Sequence, residues 1–393
     1  MRIKKMLAVL LTFVMLLGCA STAFAAYNTA NPAYDAHLSF HEDGKFRIVN
    51  YSDFQDDETL STLTAAFIRK SMEELKPDLV VLTGDNIAGY SCANARQAKR
   101  AIAGFMDIFQ ELYDAGEGAP VAAVFGNHDD QDCGYSKEEQ MAQYMTYSCF
   151  VGYDEGDAVE GVGNYNVPIF SSTDPEKIAF NVWMWDSGTY DETNGGYDHI
   201  KPGQIAWYKE TSDALKAANG GEPVYSLSFQ HIIPREIFDA LEETGSGNGA
   251  VGANGTFYRL PDTAVPGSVL GEGPCPGTVN GGQFQAFLDQ GDVLGTVSGH
   301  DHVNTFIVPY QGIDIINTPT AGFHSYGNAE TRGLRVFDLD ESDTSTYKTE
   351  IILYEDMMED EPTMALYKFI NFFKEIAAWF STMWTRIKSA FGS

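Results

Sequence analysis

With 393 residues, 44% of them hydrophobic and 13% aromatic, the chain is long enough for one large or two ordinary domains and carries a full core. Its formal net charge of -30 repels polyanions, which argues against nucleic acid as a partner. Most of that acid is solvated surface, but carboxylates are also what a cationic cofactor needs.

The start reads as a targeting segment. Arg2, Lys4 and Lys5 precede an apolar run from Met6 to Leu17, and Ala23-Phe24-Ala25 fits a small-x-small cleavage site. Residues 1–25 are therefore expected to be a secretory signal peptide of bacterial type, placing the mature chain outside the cell, secreted or held at its surface. Leu16-Leu17-Gly18-Cys19 offers a lipoprotein box as the alternative, with Leu17 a poor match for the small residue before the Gly. The apolar run is short for a membrane span. Residues 26–45 are polar and turn-rich, a lead-in.

Phe46 to Tyr51 alternates like a strand, and Leu60, Leu63, Phe67, Ile68, Met72 and Leu75 give a helical period up to Pro77. Asp78 to Thr83 is a continuous apolar strand, as in a sheet covered on both faces. A helical stretch over Ala95–Tyr113 and a strand over Pro120–Phe125 follow. This rhythm predicts an α/β core with parallel strands, whose polar strand ends lie side by side. Strands are also expected over Ala179–Trp185, Pro223–Phe229 and Val293–Ser298, near 304–309, 313–317, 333–338 and 347–354, and a helix over Gly203–Ala218. Residues 244–282, rich in Gly and Pro, read as a long loop. From Thr363 to Phe391, Leu366, Phe369, Ile370, Phe373, Phe380, Trp384 and others recur at helical spacing beside Lys368, Lys374, Arg386 and Lys388. Residues 363–391 are thus an amphipathic helix that either docks on its own domain or on a partner, or lies on a membrane surface. Cleavage would leave Cys92, Cys133, Cys149 and Cys275, with three possible pairings and no C-x-x-C zinc motif.

Five strand ends carry chemistry: Asp53 with Gln55, Asp85, Asn127 with His128, His231, and His300 with His302. Carboxylate, amide oxygen and imidazole arriving from several directions suit a pair of divalent ions, with one carboxylate shared between them. In a tight turn His300 and His302 diverge to adjacent ions, whereas on an extended strand they share a face. Asp186, His199 and His324 read as structural or as supports behind the ligands, and His37 and His41 as exposed.

In order, Asp53-Phe54-Gln55, Gly84-Asp85, Gly126-Asn127-His128-Asp129, His231 and Gly299-His300-Asp301-His302 resemble the motifs of the calcineurin-like metallophosphoesterase superfamily. Tyr197-Asp198-His199, Cys275 and Arg332-Gly333-Leu334-Arg335-Val336 are similar to its branch of purple acid and Dcr2-type phosphatases. The resemblance covers roughly residues 45–355, with residues 46–355 the expected catalytic domain. It implies a four-layer αββα sandwich, two mixed β-sheets flanked by helices, with a dimetal site at the strand carboxyl ends. Asp85 would bridge two divalent ions (Mn, Fe, Zn or Mg), Asp53 and His302 would hold the first, and Asn127, His231 and His300 the second. The activity implied is hydrolysis of a phosphomonoester or small phosphodiester by hydroxide attack, with His128 protonating the leaving group.

One position departs. Gln55 stands where the family has His, and a neutral amide oxygen is a weaker, harder ligand than imidazole. The first site is then expected to bind its ion less tightly or to prefer Mn²⁺ or Mg²⁺, unless Asp56 or Asp57 reaches in. Ala88 replaces the Tyr of the purple enzymes, so their iron–tyrosinate chromophore is not expected. The rival reading is a catalytically impaired surface protein that keeps the fold and a metal for partner or membrane interaction.

Overall fold

The computed structural model describes residues 31–372 apart from residue 248, together with residue 376. The expected signal peptide, and the expected terminal helix beyond residue 372, lie outside the described residues. The lead-in is tied to the domain: Asn31 caps a short helix α1 (Pro32–Ala36), and its amide Nδ2 donates to the carbonyl of Asn166 at 2.8 Å.

Strand β1 (Lys45–Tyr51) passes through α2 (Thr62–Leu75) to β2 (Leu79–Thr83), and through α3 (Ala95–Asp114) to β3 (Val121–Val124). Local chemistry sets these limits. Ser61 caps α2 by accepting from Leu63 N, and left-handed Lys76 ends the helix before Pro77. Asn94 caps α3, which buries Ala98, Ile102, Phe105, Met106 and Phe109 along one face. The helices return each strand in the same direction, so β1, β2 and β3 pair parallel. After α4 (Lys137–Tyr144), β4 (Tyr165–Phe170) and β5 (Ile178–Met184) form a hairpin, and α5 (Pro202–Ala218) leads to β6 (Ser226–Gln230). A one-turn α6 (Ile237–Ala240) precedes β7 (Glu242–Thr244), β8 (Val251–Ala253) and β9 (Thr256–Arg259). Then come α7 (Gln283–Gln290), β10 (Val293–Ser298), β11 (Ile307–Tyr310), β12 (Ile313–Asn317), β13 (Gly333–Asp340), β14 (Lys348–Leu353) and α8 (Tyr354–Met357).

Two large mixed sheets result, ordered β14-β13-β1-β2-β3 and β11-β12-β10-β6-β5-β4. They face each other: Phe229 and Phe337 meet at 5.7 Å, and the Tyr165 hydroxyl donates to Ala123 O and accepts from Ala123 N, each at 2.8 Å. Outside the first sheet, Tyr51 packs on Phe67 of α2 and Phe109 of α3. Outside the second, Trp183 packs on Tyr208 of α5, and Trp185 on Phe287 of α7. The four-layer αββα expectation is met.

One expectation is corrected, one strand is unforeseen, and the pairing of the cysteines, open from sequence, is answered. The 244–282 region is not loop throughout, because β7-β9-β8 forms a small antiparallel sheet. Strand β4 escapes the pattern because Pro168 interrupts it; Pro is tolerated there since β4 is an edge, paired only with β5. The four cysteines are free thiols, three buried and Cys275 exposed.

Candidate metal centre

Parallel strands from both sheets deliver their carboxyl ends to one place. Asp53 follows β1, Asp85 follows β2, Asn127 follows β3, His231 directly follows β6, and His300 follows β10. The loops are laced by main-chain bonds, Asp53 N to Gly84 O at 3.1 Å, Gln55 N to Asp85 O at 2.9 Å and Gly299 N to His231 O at 3.2 Å. Asp53, Gln55, Asp85 and His300 all have positive φ, of 53°, 42°, 47° and 70°. Non-glycine residues adopt this region at a cost of about 1–3 kcal/mol each, tolerated where surrounding contacts over-determine the turn. Each left-handed turn lies within a few residues of a strand end, the place where a chain must reverse to aim ligands at a common centre.

The glycines of the motifs have a matching reason. A Cβ on Gly126 would stand 2.1 Å from Asp85 Oδ1, and one on Gly299 would stand 1.8 Å from Ser52 Oγ. Any side chain there would displace a carboxylate or its support.

Asp53, Gln55, Asp85, Asn127, His231, His300 and His302 are all buried, His300 being the most accessible at 8%. His231 Nε2 lies 3.2 Å from Asp85 Oδ2 and 3.2 Å from His300 Nδ1. On the other side, His302 Nε2 lies 3.3 Å from Asp53 Oδ1. His300 and His302 therefore diverge. Carbonyl oxygens fix two tautomers: His231 Nδ1 donates to Thr83 O and His302 Nδ1 donates to Tyr326 O, each at 2.9 Å. Each Nε2 lone pair is thereby turned towards a carboxylate, an arrangement that calls for a cation or a proton between them.

Unpartnered atoms make the same demand. Asp53 Oδ1, Gln55 Oε1, Asn127 Oδ1 and His300 Nε2 are buried with no hydrogen bond. Stranding four such atoms is expensive unless they ligate something. Titration behaviour agrees. Burial opposes charge on Asp53 and Asp85, yet His302 holds Asp53, and His231 holds Asp85, below the usual carboxylate range. Burial also opposes charge on His231, but Asp85 and Asp53 outweigh it and raise the imidazole to about 9. Burial, with His231 beside it, pushes His300 down to about 3. The pocket is electronegative, and the residues present fit a pair of cations.

Gln55, rather than Asp56 or Asp57, faces Asp85: its Nε2 donates to Asp85 Oδ2 at 2.8 Å. Asp56 Oδ1 sits 2.9 Å from His324 Nδ1, and Asp57 Oδ1 accepts from Thr59 N at 2.7 Å. His128 stands at the rim, partly exposed, with its backbone N donating to Asp85 Oδ1 at 2.8 Å. Its Nδ1 lies 2.5 Å from Gln131 Oε1, an acceptor, which puts the hydrogen on Nδ1 and leaves Nε2 free. Asp129 locks the loops together, accepting from Gly126 N at 2.6 Å and Ile87 N at 3.0 Å. Asp186 pairs with buried Lys137 at 2.9 Å, away from these ligands. His199 lies 3.2 Å from Asp198, which also pairs with Lys201, so a cation is already present in that second acidic cluster.

Sequence reasoning missed Gln131, three residues after His128, and the tyrosines around the mouth apart from Tyr197, which entered only as part of Tyr197-Asp198-His199. Tyr90 meets the His128 ring edge-on at 4.9 Å, and Tyr326 stacks on His302 at 4.0 Å. Tyr197 meets His300 at 4.3 Å, and the Tyr190 hydroxyl lies 3.4 Å from Asn127 Nδ2. Lone tyrosines in irregular loops carry no periodic signal, so only the fold gathers them.

The sequence model described as calcineurin-like phosphoesterase matches residues 46–304. Probable inactive purple acid phosphatase 14 of Arabidopsis thaliana is 29% identical over 323 residues, covering 74% of this chain and 74% of its own length. Phosphatase DCR2 of Saccharomyces cerevisiae is 28% identical over 228 residues, covering 52% of this chain and 38% of its own. A solved dimetal phosphatase from Danio rerio aligns with a TM-score of 0.46 at 14% identity, covering 79% of this chain and 99% of its own.

Proposed function

Because the chain belongs to the calcineurin-like phosphoesterase family, we propose that it is an exported, metal-dependent hydrolase of phosphomonoesters or small phosphodiesters. The observation that carries this reading is the set of buried, unpartnered donor atoms converging from both sheets. Asp85 would be shared between two ions, Asp53, His302 and Gln55 would hold one, and Asn127, His231 and His300 would hold the other. Bound there, two divalent cations supply Lewis acidity to the phosphoryl group and acidify water.

The chain's own residues do the rest. Asp85 is held by His128 N and Gln55 Nε2, so its two oxygens keep a fixed orientation. His128, oriented through Nδ1 by Gln131, presents Nε2 to the leaving oxygen; as the imidazolium, with a proton on each nitrogen, it gives the Nε2 proton to the departing alkoxide and is left as the neutral Nδ1–H ring. Removing that donor costs about 10²–10⁴-fold in rate.

A second reading has its own support. The Gln55 amide donates a hydrogen bond to Asp85, using a lone pair that a ligated carboxylate would give to metal. A chain impaired at the first ion would keep the fold for partner or membrane-surface contact. Hydrolysis of p-nitrophenyl phosphate and bis-p-nitrophenyl phosphate by protein reconstituted with Mn²⁺, Zn²⁺, Fe²⁺ or Mg²⁺, beside His128→Ala, separates the two. Turnover lost in the variant supports the enzyme; equal inertness across all four metals supports the impaired protein.

A further inference from the structure

Among the described residues, four tyrosines stand more than a third exposed, and three of them surround the metal centre: Tyr90 at 47%, Tyr190 at 44% and Tyr326 at 54%. Large aromatic area left in water is unfavourable without a use. The three come from separate loops, after β2, after β5 and after β12. Each is anchored on a residue of the site: Tyr90 on His128, Tyr190 on Asn127 and Tyr326 on His302. Tyr197 stacks behind Tyr190 at 5.5 Å. The Tyr326 hydroxyl is held back, donating to Glu272 Oε2 at 2.9 Å.

Position gives the rim a direction. His128 marks the side from which the leaving group departs, and Tyr90 touches His128 while Tyr190 touches its neighbour Asn127. The alcohol half of a substrate must therefore leave between exposed tyrosine rings. We propose that the site selects phosphate monoesters whose alcohol carries a planar heteroaromatic ring, as a nucleoside 5′-monophosphate does, by stacking that ring on the tyrosine rim. This rests on the phosphoesterase reading for turnover, but not for binding.

Adenosine 5′-monophosphate and ribose 5-phosphate release the same kind of primary alcohol and differ in the base. With Mn²⁺-loaded protein, kcat/KM is expected to favour the nucleotide by about tenfold or more, the scale of one aromatic–base stack. In Tyr90→Ala and Tyr190→Ala that ratio is expected to fall towards one. Calorimetric binding of the same two compounds is expected to show the same preference, so it decides the matter even for protein that does not turn over. A preference in binding without hydrolysis would sink the enzyme reading and keep this one. Equal kcat/KM and equal binding for the two compounds, or a ratio unchanged in both variants, would overturn it.

Discussion

At the scale of single residues, the site is a problem in electrostatics solved by geometry. Two imidazoles with tautomers fixed by Thr83 and Tyr326 aim lone pairs at Asp85 and Asp53, and only positive charge reconciles them. Without metal that charge is a proton on His231, whose pKa is raised to about 9. Below that value, binding an ion at the second site must expel the proton. Apparent Mn²⁺ affinity should therefore rise by about tenfold per pH unit up to roughly pH 9 and then level off. Titration calorimetry at several pH values checks this; an affinity flat with pH would show that His231 is already neutral. Gln55→His should tighten the first ion, by at least the roughly 10–100-fold that lesser changes near a metal produce. His128→Ala should lower kcat by about 10²–10⁴-fold while leaving metal content unchanged, a split that a merely structural histidine would not give. The residues that the strand ends bring together were legible in the sequence because each stands in a short polar motif directly after an apolar strand. Gln131 and the tyrosines were not, since their roles exist only across loops.

At the scale of elements, the parallel runs of strands in each sheet put the ligands together, and the motif glycines allow the loops to close on one another. Gly126→Ala would drive a methyl to within 2.1 Å of Asp85 Oδ1. About 1–3 kcal/mol of lost stability is expected, with loss of bound metal before loss of fold. Thermal unfolding with metal analysis reads both, and unchanged metal content would show that Asp85 is not held where the fold places it. The sequence foretold most of this architecture, because buried parallel strands and amphipathic helices have strong periods. It did not foretell β4, broken by Pro168, nor the short exposed hairpins inside the Gly/Pro-rich region, where burial is too slight to leave a pattern.

For the whole molecule, the terminal segment joins the domain further than its composition suggests. Residues 363–372 are helical, with Met364 and Tyr367 buried and Tyr367 packed on Tyr354 at 4.7 Å and Phe323 at 5.8 Å. A deletion from residue 363 would uncover that cluster, so the informative truncation begins after residue 372. If the remaining basic, aromatic stretch touches membranes, full-length protein should sediment with anionic liposomes and the truncated chain should not. Sedimentation of neither would remove the membrane proposal. The net charge of -30 opposes such binding everywhere except at that tail, and it favours cations at the site.

Seven buried side chains from both sheets are proposed to hold two ions. Metal analysis of protein loaded with Mn²⁺ and freed of loose ions tests this directly. Two equivalents per chain are predicted, falling to about one in His231→Ala. One equivalent or none in the unaltered protein, or a count indifferent to His231, would contradict it.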